Sequence, residues 1–176
     1  MLKMFTTQLT GIFKKIAEKE EFSFEDGARL LAQAPAGDGS IYIWGAEEMK
    51  AVEFEAVYGA EPLRSAKSLT ETDLDRITDA DRVLLFTRLA NDVPAVELAK
   101  RLREKMIPFV AISTVLESSE EDLSQLADVH IDLQLKKGLL PDDVGNRYGY
   151  PAAMAALFVY HGLKFTIDEI LAEYEE

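Results

Sequence analysis

The chain has no cysteine in 176 residues, only two histidines and a single tryptophan. Without thiols there are no disulfides, no thiolate metal ligands and no cysteine nucleophile, and two histidines leave a zinc site little but carboxylates. Neither a metal nor a cofactor is expected. Long apolar runs are also missing: stretches such as 152–160 fall well short of the roughly 18 residues that span a bilayer. The opening residues interleave apolar and polar side chains and lack the apolar block of a secretory signal, so the expected location is the cytoplasm, with no membrane partner. Positive charge is scarce. Nineteen Lys and Arg stand against 32 Asp and Glu, for a net charge of -13, and such a field repels nucleic acid, which is therefore not an expected partner. No glycine-rich dinucleotide fingerprint follows any predicted strand, which counts against a flavodoxin-like nucleotide module.

What is present belongs to a folded domain. Hydrophobic residues make up 48% of the chain and charged residues 29%, enough to bury a core as a single unit over 1–176. Leu2, Phe5, Leu9, Ile12, Phe13 and Ile16 recur at spacings of three and four and predict an amphipathic helix. That stripe must pack on the domain or on a second subunit, and a homodimer or higher homo-oligomer is expected. Ser23 precedes a second helical stretch, 24–34, and Gly37, Asp38 and Gly39 signal a turn. Residues 1–36 thus read as an N-terminal helical extension. The sheet core spans 37–135. Ile41 to Trp44 predicts a strand leading into helical 46–58; 66–69 marks a weaker strand before polar 70–79; and 81–87 is a near-continuous apolar run suited to a strand buried on both faces. Helical 93–105 and a strand over 107–113 complete a βαβ unit. Ser118 with Glu121 predicts a capping box for 120–126, and 129–133 one more strand. A turn-rich loop follows, then helices over 151–163 and 167–174. The fold class expected is α/β: a three-layer αβα architecture with a doubly wound parallel sheet of about five strands in flavodoxin-like order, preceded by N-terminal helices.

In such sheets ligands sit beyond the carboxyl ends of the strands. This rule selects the loops at 45–48, 87–92 and 113–119. Thr87, Asn91, Ser113 and Thr114 there can hydrogen-bond a phosphate or a sugar hydroxyl, and Arg88 can add charge; the same short polar residues serve equally as caps at strand-to-helix turns. His130, between Val129 and Ile131, reads as a structural histidine. Lys136, Lys137, Asn146 and Arg147, with Tyr148 and Tyr150, form either a lid or a packed turn before Pro151.

The helical start, Ile41 to Gly45, the strand at 81–87, Pro108 to Thr114, and the following Leu126, Ala127 and Asp128 together resemble the SIS (sugar isomerase) family, over most of the chain. In size the chain is similar to the phosphoheptose isomerase type. The resemblance implies a sugar-phosphate ligand, bound around Gly45, Glu47, Thr87, Arg88, Asn91, Ser113, Thr114 and Arg147. Aldose–ketose isomerisation needs a base for carbon and a proton shuttle for oxygen, roles for which Glu48 and His161 are the candidates. His161 also has a plain structural role open to it, packing near Phe158, Val159 and Tyr160. Two departures stand out: the family's Gly-x-Gly-x-Ser is replaced by Gly45, Ala46, Glu47 and Glu48, and its serine-rich phosphate loop by Thr87, Arg88, Leu89, Ala90, Asn91 and Asp92. They leave a second expectation, a non-catalytic sugar-phosphate sensor or assembly protein that keeps the fold.

Overall fold

The apolar runs become the centre of a parallel sheet. In the computed structural model, which describes residues 1–117 and 120–175, the strands are β1 (Ile41–Gly45), β2 (Ala66–Ser68), β3 (Arg82–Leu89), β4 (Phe109–Thr114) and β5 (Val129–Asp132). They lie in the order β2-β1-β3-β4-β5, all parallel, as expected from the sequence. Alternation within β3 divides the core in two. Leu84 and Phe86 join the cluster that contains α1 (Leu2–Lys19), α2 (Glu21–Ala36), α3 (Lys50–Tyr58) and α7 (Ala152–Glu175). Val83 and Leu85 face the other layer, with α4 (Glu71–Arg76), α5 (Val93–Glu104) and α6 (Leu123–Leu126). Successive side chains of a strand point to opposite faces, so a run buried throughout has helices on both sides.

Several elements depart from the sequence expectation. The second helix starts at Glu21, which puts Ser23 inside it, and α2 packs along α7 and across β3, β4 and β5, making it part of one layer. Polar 70–79 holds α4, opened by a capping box in which Thr70 and Asp73 satisfy each other's backbone N–H groups. The expected cap at Ser118 lies outside the described residues; α6 is instead capped by Asp122 with Gln125. The turn-rich loop contains a short antiparallel hairpin, β6 (Leu140–Pro141) with β7 (Arg147–Tyr148). The two C-terminal helices are one 24-residue helix. No proline interrupts it, and at the junction expected to break it Lys164 is 8% exposed and pairs with Asp168 at 2.6 Å, while Phe165 beside it faces solvent.

Most of the predicted stripe of α1 packs on the domain itself, Leu2 at its start remaining exposed. Leu9 and Ile16 are buried, Phe5, Ile12 and Phe13 pack against the core, and the Phe13 ring stacks on Phe158 of α7 at 4.5 Å. Among the described residues, no helix is long and apolar enough to cross a membrane.

Candidate functional site

At the end of β1 the chain turns back so closely that a Cβ on Gly45 would sit 2.3 Å from the carbonyl oxygen of Met49. Glycine is required by this backbone approach. The Gly45 N–H donates to Glu53 Oε2 at 3.1 Å, so it is occupied within the protein. The turn continues through Glu47, at φ +52, into a 3-10 segment, Glu47–Met49, that places Glu48 at the rim.

Across from it, β3 carries an irregularity. Phe86 pairs with Ile112 and Leu89 with Thr114, so the β3 side holds one more residue than β4 over the same interval. Such a bulge re-aims the side chains it contains. Thr87 turns inward, fully buried, its hydroxyl donating to the Leu89 carbonyl at 2.7 Å. Arg88 turns outward and grips Glu48: Nε and Nη2 donate to Oε1 and Oε2, both at 2.7 Å. This two-point geometry is the strong form of a guanidinium–carboxylate contact. It holds the Glu48 carboxyl below its usual range and raises Arg88 further above its own.

Ser113 and Thr114 at the end of β4 are both fully buried. The Ser113 hydroxyl meets His130 Nε2 at 2.7 Å, and Thr114 Oγ1 accepts from the Leu135 N–H at 3.1 Å. Burial lowers the His130 pKa, favouring the neutral ring, while Asp132 and Asp122 oppose the shift. Tyr150 closes this side, donating its hydroxyl to the Leu135 carbonyl; burial raises its pKa, and the nearby Arg88 charge opposes that rise. Asn91 is exposed in the turn after β3. Asp92 caps α5 by accepting from the Ala95 N–H at 3.0 Å.

Of the residues singled out from sequence, Glu48 and Arg88 are therefore brought into contact, with Tyr150 within electrostatic reach. Thr87, Ser113 and Thr114 are buried at the ends of β3 and β4 and bonded inside the protein. His161 lies within α7, half-buried, its ring edge-on to Tyr160 at 5.1 Å and near Phe165 at 5.8 Å. Arg147 points its Nε and Nη2 at the carbonyls of Gly138 and Leu139, at 3.0 and 2.8 Å. No cluster of three or more metal-ligating side chains occurs among the described residues. The Glu48–Arg88 pair had no local signal, being formed across 40 positions by a bulge that a propensity reading does not reveal.

The family model "Domain of unknown function (DUF2529)" matches residues 1–171. The chain belongs to the DUF2529 family. The uncharacterized protein YwjG of Bacillus subtilis (strain 168) is 49% identical over 174 residues, 99% of both chains. Among solved structures, this DUF2529 chain is similar to the c3406 protein of E. coli CFT073, with a TM-score of 0.68 and 12% identity over 99% of this chain and 93% of that one. A phosphoheptose isomerase from Francisella tularensis gives 0.68 and 12% over 96% of each. The sugar isomerase domain of the RpiR transcription factor from Sphaerobacter thermophilus gives 0.60 and 14% over 99% and 97%. At these identities the likeness is one of fold: the three-layer α/β arrangement around a parallel sheet.

Proposed function

We propose that this chain binds a phosphorylated sugar at the carboxyl ends of β1, β3 and β4, and that Arg88 receives the phosphate. The supporting observation is the outward-turned guanidinium, held at two points by Glu48. A phosphate dianion offers the same two-point geometry with more charge, so it competes with Glu48 for Arg88. Gly45, Glu47 and Asn91 border the ligand, while Thr87, Ser113 and Thr114 keep the floor in shape. Binding without turnover is the primary reading, because a carboxylate paired with arginine is a weak base and His161 has aromatic neighbours. The protein then acts in the cytoplasm as a sugar-phosphate sensor, as a homodimer.

Aldose–ketose isomerisation is the second reading. It is favoured by one feature: a phosphate that takes Arg88 releases Glu48 at the mouth of the site, restoring its basicity only when ligand is present.

A thermal-shift titration with aldose phosphates, ketose phosphates, the matching free sugars and inorganic phosphate tests the binding. At least one sugar phosphate is expected to stabilise the protein more than its free sugar does. Arg88→Ala is expected to weaken that ligand by about 10- to 100-fold, the loss of a charge-assisted contact. No stabilisation by any sugar phosphate sinks the proposal; turnover that disappears in Glu48→Gln would promote the second reading over the first.

A further inference from the structure

In a chain this acidic, cations are expected to be dispersed among carboxylates, yet one concavity gathers five of them. Gln8, Ile12, Lys15 and Lys19 share one face of α1 by their spacing. That face meets the segment after β5, where Gln134, at φ +61, turns the chain toward Lys136 and Lys137. Arg147 of β7 completes the wall. Gly138 makes the approach possible, since a Cβ there would lie 2.5 Å from the Tyr148 carbonyl oxygen. The result is a pocket of about 410 Å³ lined by Lys15, Lys19, Lys136, Lys137 and Arg147, with no acidic side chain in its wall.

None of these four lysines, nor Arg147, enters an ion pair among the described residues. Arg147 uses Nε and Nη2 to pin the loop, which leaves Nη1 over. Glu20 and Asp132 lie near Gln134, and Glu18 stands on α1 between Lys15 and Lys19. Burial raises the Glu20 pKa, disfavouring its charged form. Five like charges converging on one small volume repel one another, and an anion that enters relieves that repulsion while gaining several charge-assisted contacts.

We propose that this pocket binds a small molecule carrying two or more phosphoryl groups, at a site separate from Glu48 and Arg88. Five cations exceed what one phosphate needs, and two amide side chains, Gln8 and Gln134, are at hand for a polar scaffold. A long polyanion is disfavoured because, outside the pocket, it would run across a surface that repels it: the whole chain carries -13.

The test is isothermal titration calorimetry of the full chain at low ionic strength, with inorganic pyrophosphate, inorganic phosphate and a twelve-residue single-stranded DNA as probes. Pyrophosphate is expected to bind saturably at one site, at least about tenfold tighter than phosphate, and to weaken as salt is added. K136Q/K137Q and K15Q/K19Q, all at exposed positions, are each expected to weaken it at least about tenfold, while Arg88→Ala leaves it within about twofold; should K15Q/K19Q fail to fold, K136Q/K137Q alone decides. Arg88→Ala also separates this site from the sugar-phosphate site, whose ligand that variant is expected to lose. The proposal is overturned by an absence of saturable pyrophosphate binding, by unchanged binding in the lysine variants, by loss in Arg88→Ala with the lysine variants intact, or by DNA binding tighter than pyrophosphate.

Discussion

At the scale of single residues, the pairing of Glu48 with Arg88 ties the electrostatics of the site to pH. Arg88 lowers the folded-state pKa of Glu48, so the stabilisation is present above the unfolded value of about 4.3 and is lost as pH falls through the lower folded value. The side chains are 32% and 51% exposed, and solvent screening limits the effect. Glu48→Gln is therefore expected to cost about 1 kcal/mol or less at neutral pH. Thermal melts of the two proteins should converge at the acid end; a constant difference down to the acid limit would show that the pair is not the source. Gly45 makes a second, sharper case. Gly45→Ala sets a methyl against the Met49 carbonyl, with Lys50 N only 2.8 Å away, and is expected to cost about 1–3 kcal/mol in urea unfolding. An unchanged midpoint would mean that the turn after β1 has room to relax.

At the scale of elements, two adjacent side chains of β3 divide between interior and surface at the bulge. The β3 strand holds one extra residue over this interval, and within it Thr87 is buried and Arg88 exposed. The docking of α1 depends on another small feature, the stack of Phe13 on Phe158, with ring planes 5° apart. Phe158→Ala is expected to destabilise the protein by about 1–3 kcal/mol. Hydrogen exchange should report the loss in α1 before α5, because α5 packs on the opposite face of the sheet. Uniform loss of protection over both helices would instead describe a single cooperative unit.

At the scale of the whole molecule, α1 and α2 belong to the layer that covers one face of the sheet. Since most of the α1 stripe is already packed on the domain, a homodimer must draw on the apolar groups left in solvent, among them Leu2 and Met4 on α1, Phe54 and Tyr58 on α3, and Met154 and Phe165 on α7. Light scattering after size-exclusion chromatography is expected to return twice the 19.7 kDa chain mass; a folded monomer at micromolar concentration would remove the dimer and leave the binding proposal standing.

Hydrophobic periodicity by itself determined the parallel sheet and, with crossover handedness, its order, because buried strands need near-continuous apolar runs and handedness restricts the winding. Residues 70–79 and 164–166 escaped it for physical reasons. A two-turn helix such as α4 rests on one capping box more than on an apolar stripe, and the junction in α7 is bridged by Lys164 with Asp168, polar residues that look like a break until they are seen paired. Which polar side chains face solvent was decided only by tertiary structure. Thr87, Ser113 and Thr114 have the right chemistry for a ligand, but buried hydroxyls must find partners, and they found them inside. Glu48 met Arg88 across 40 positions, and four lysines came to line one pocket with Arg147, because the turn after β1 and the packing of α1 bring distant positions together.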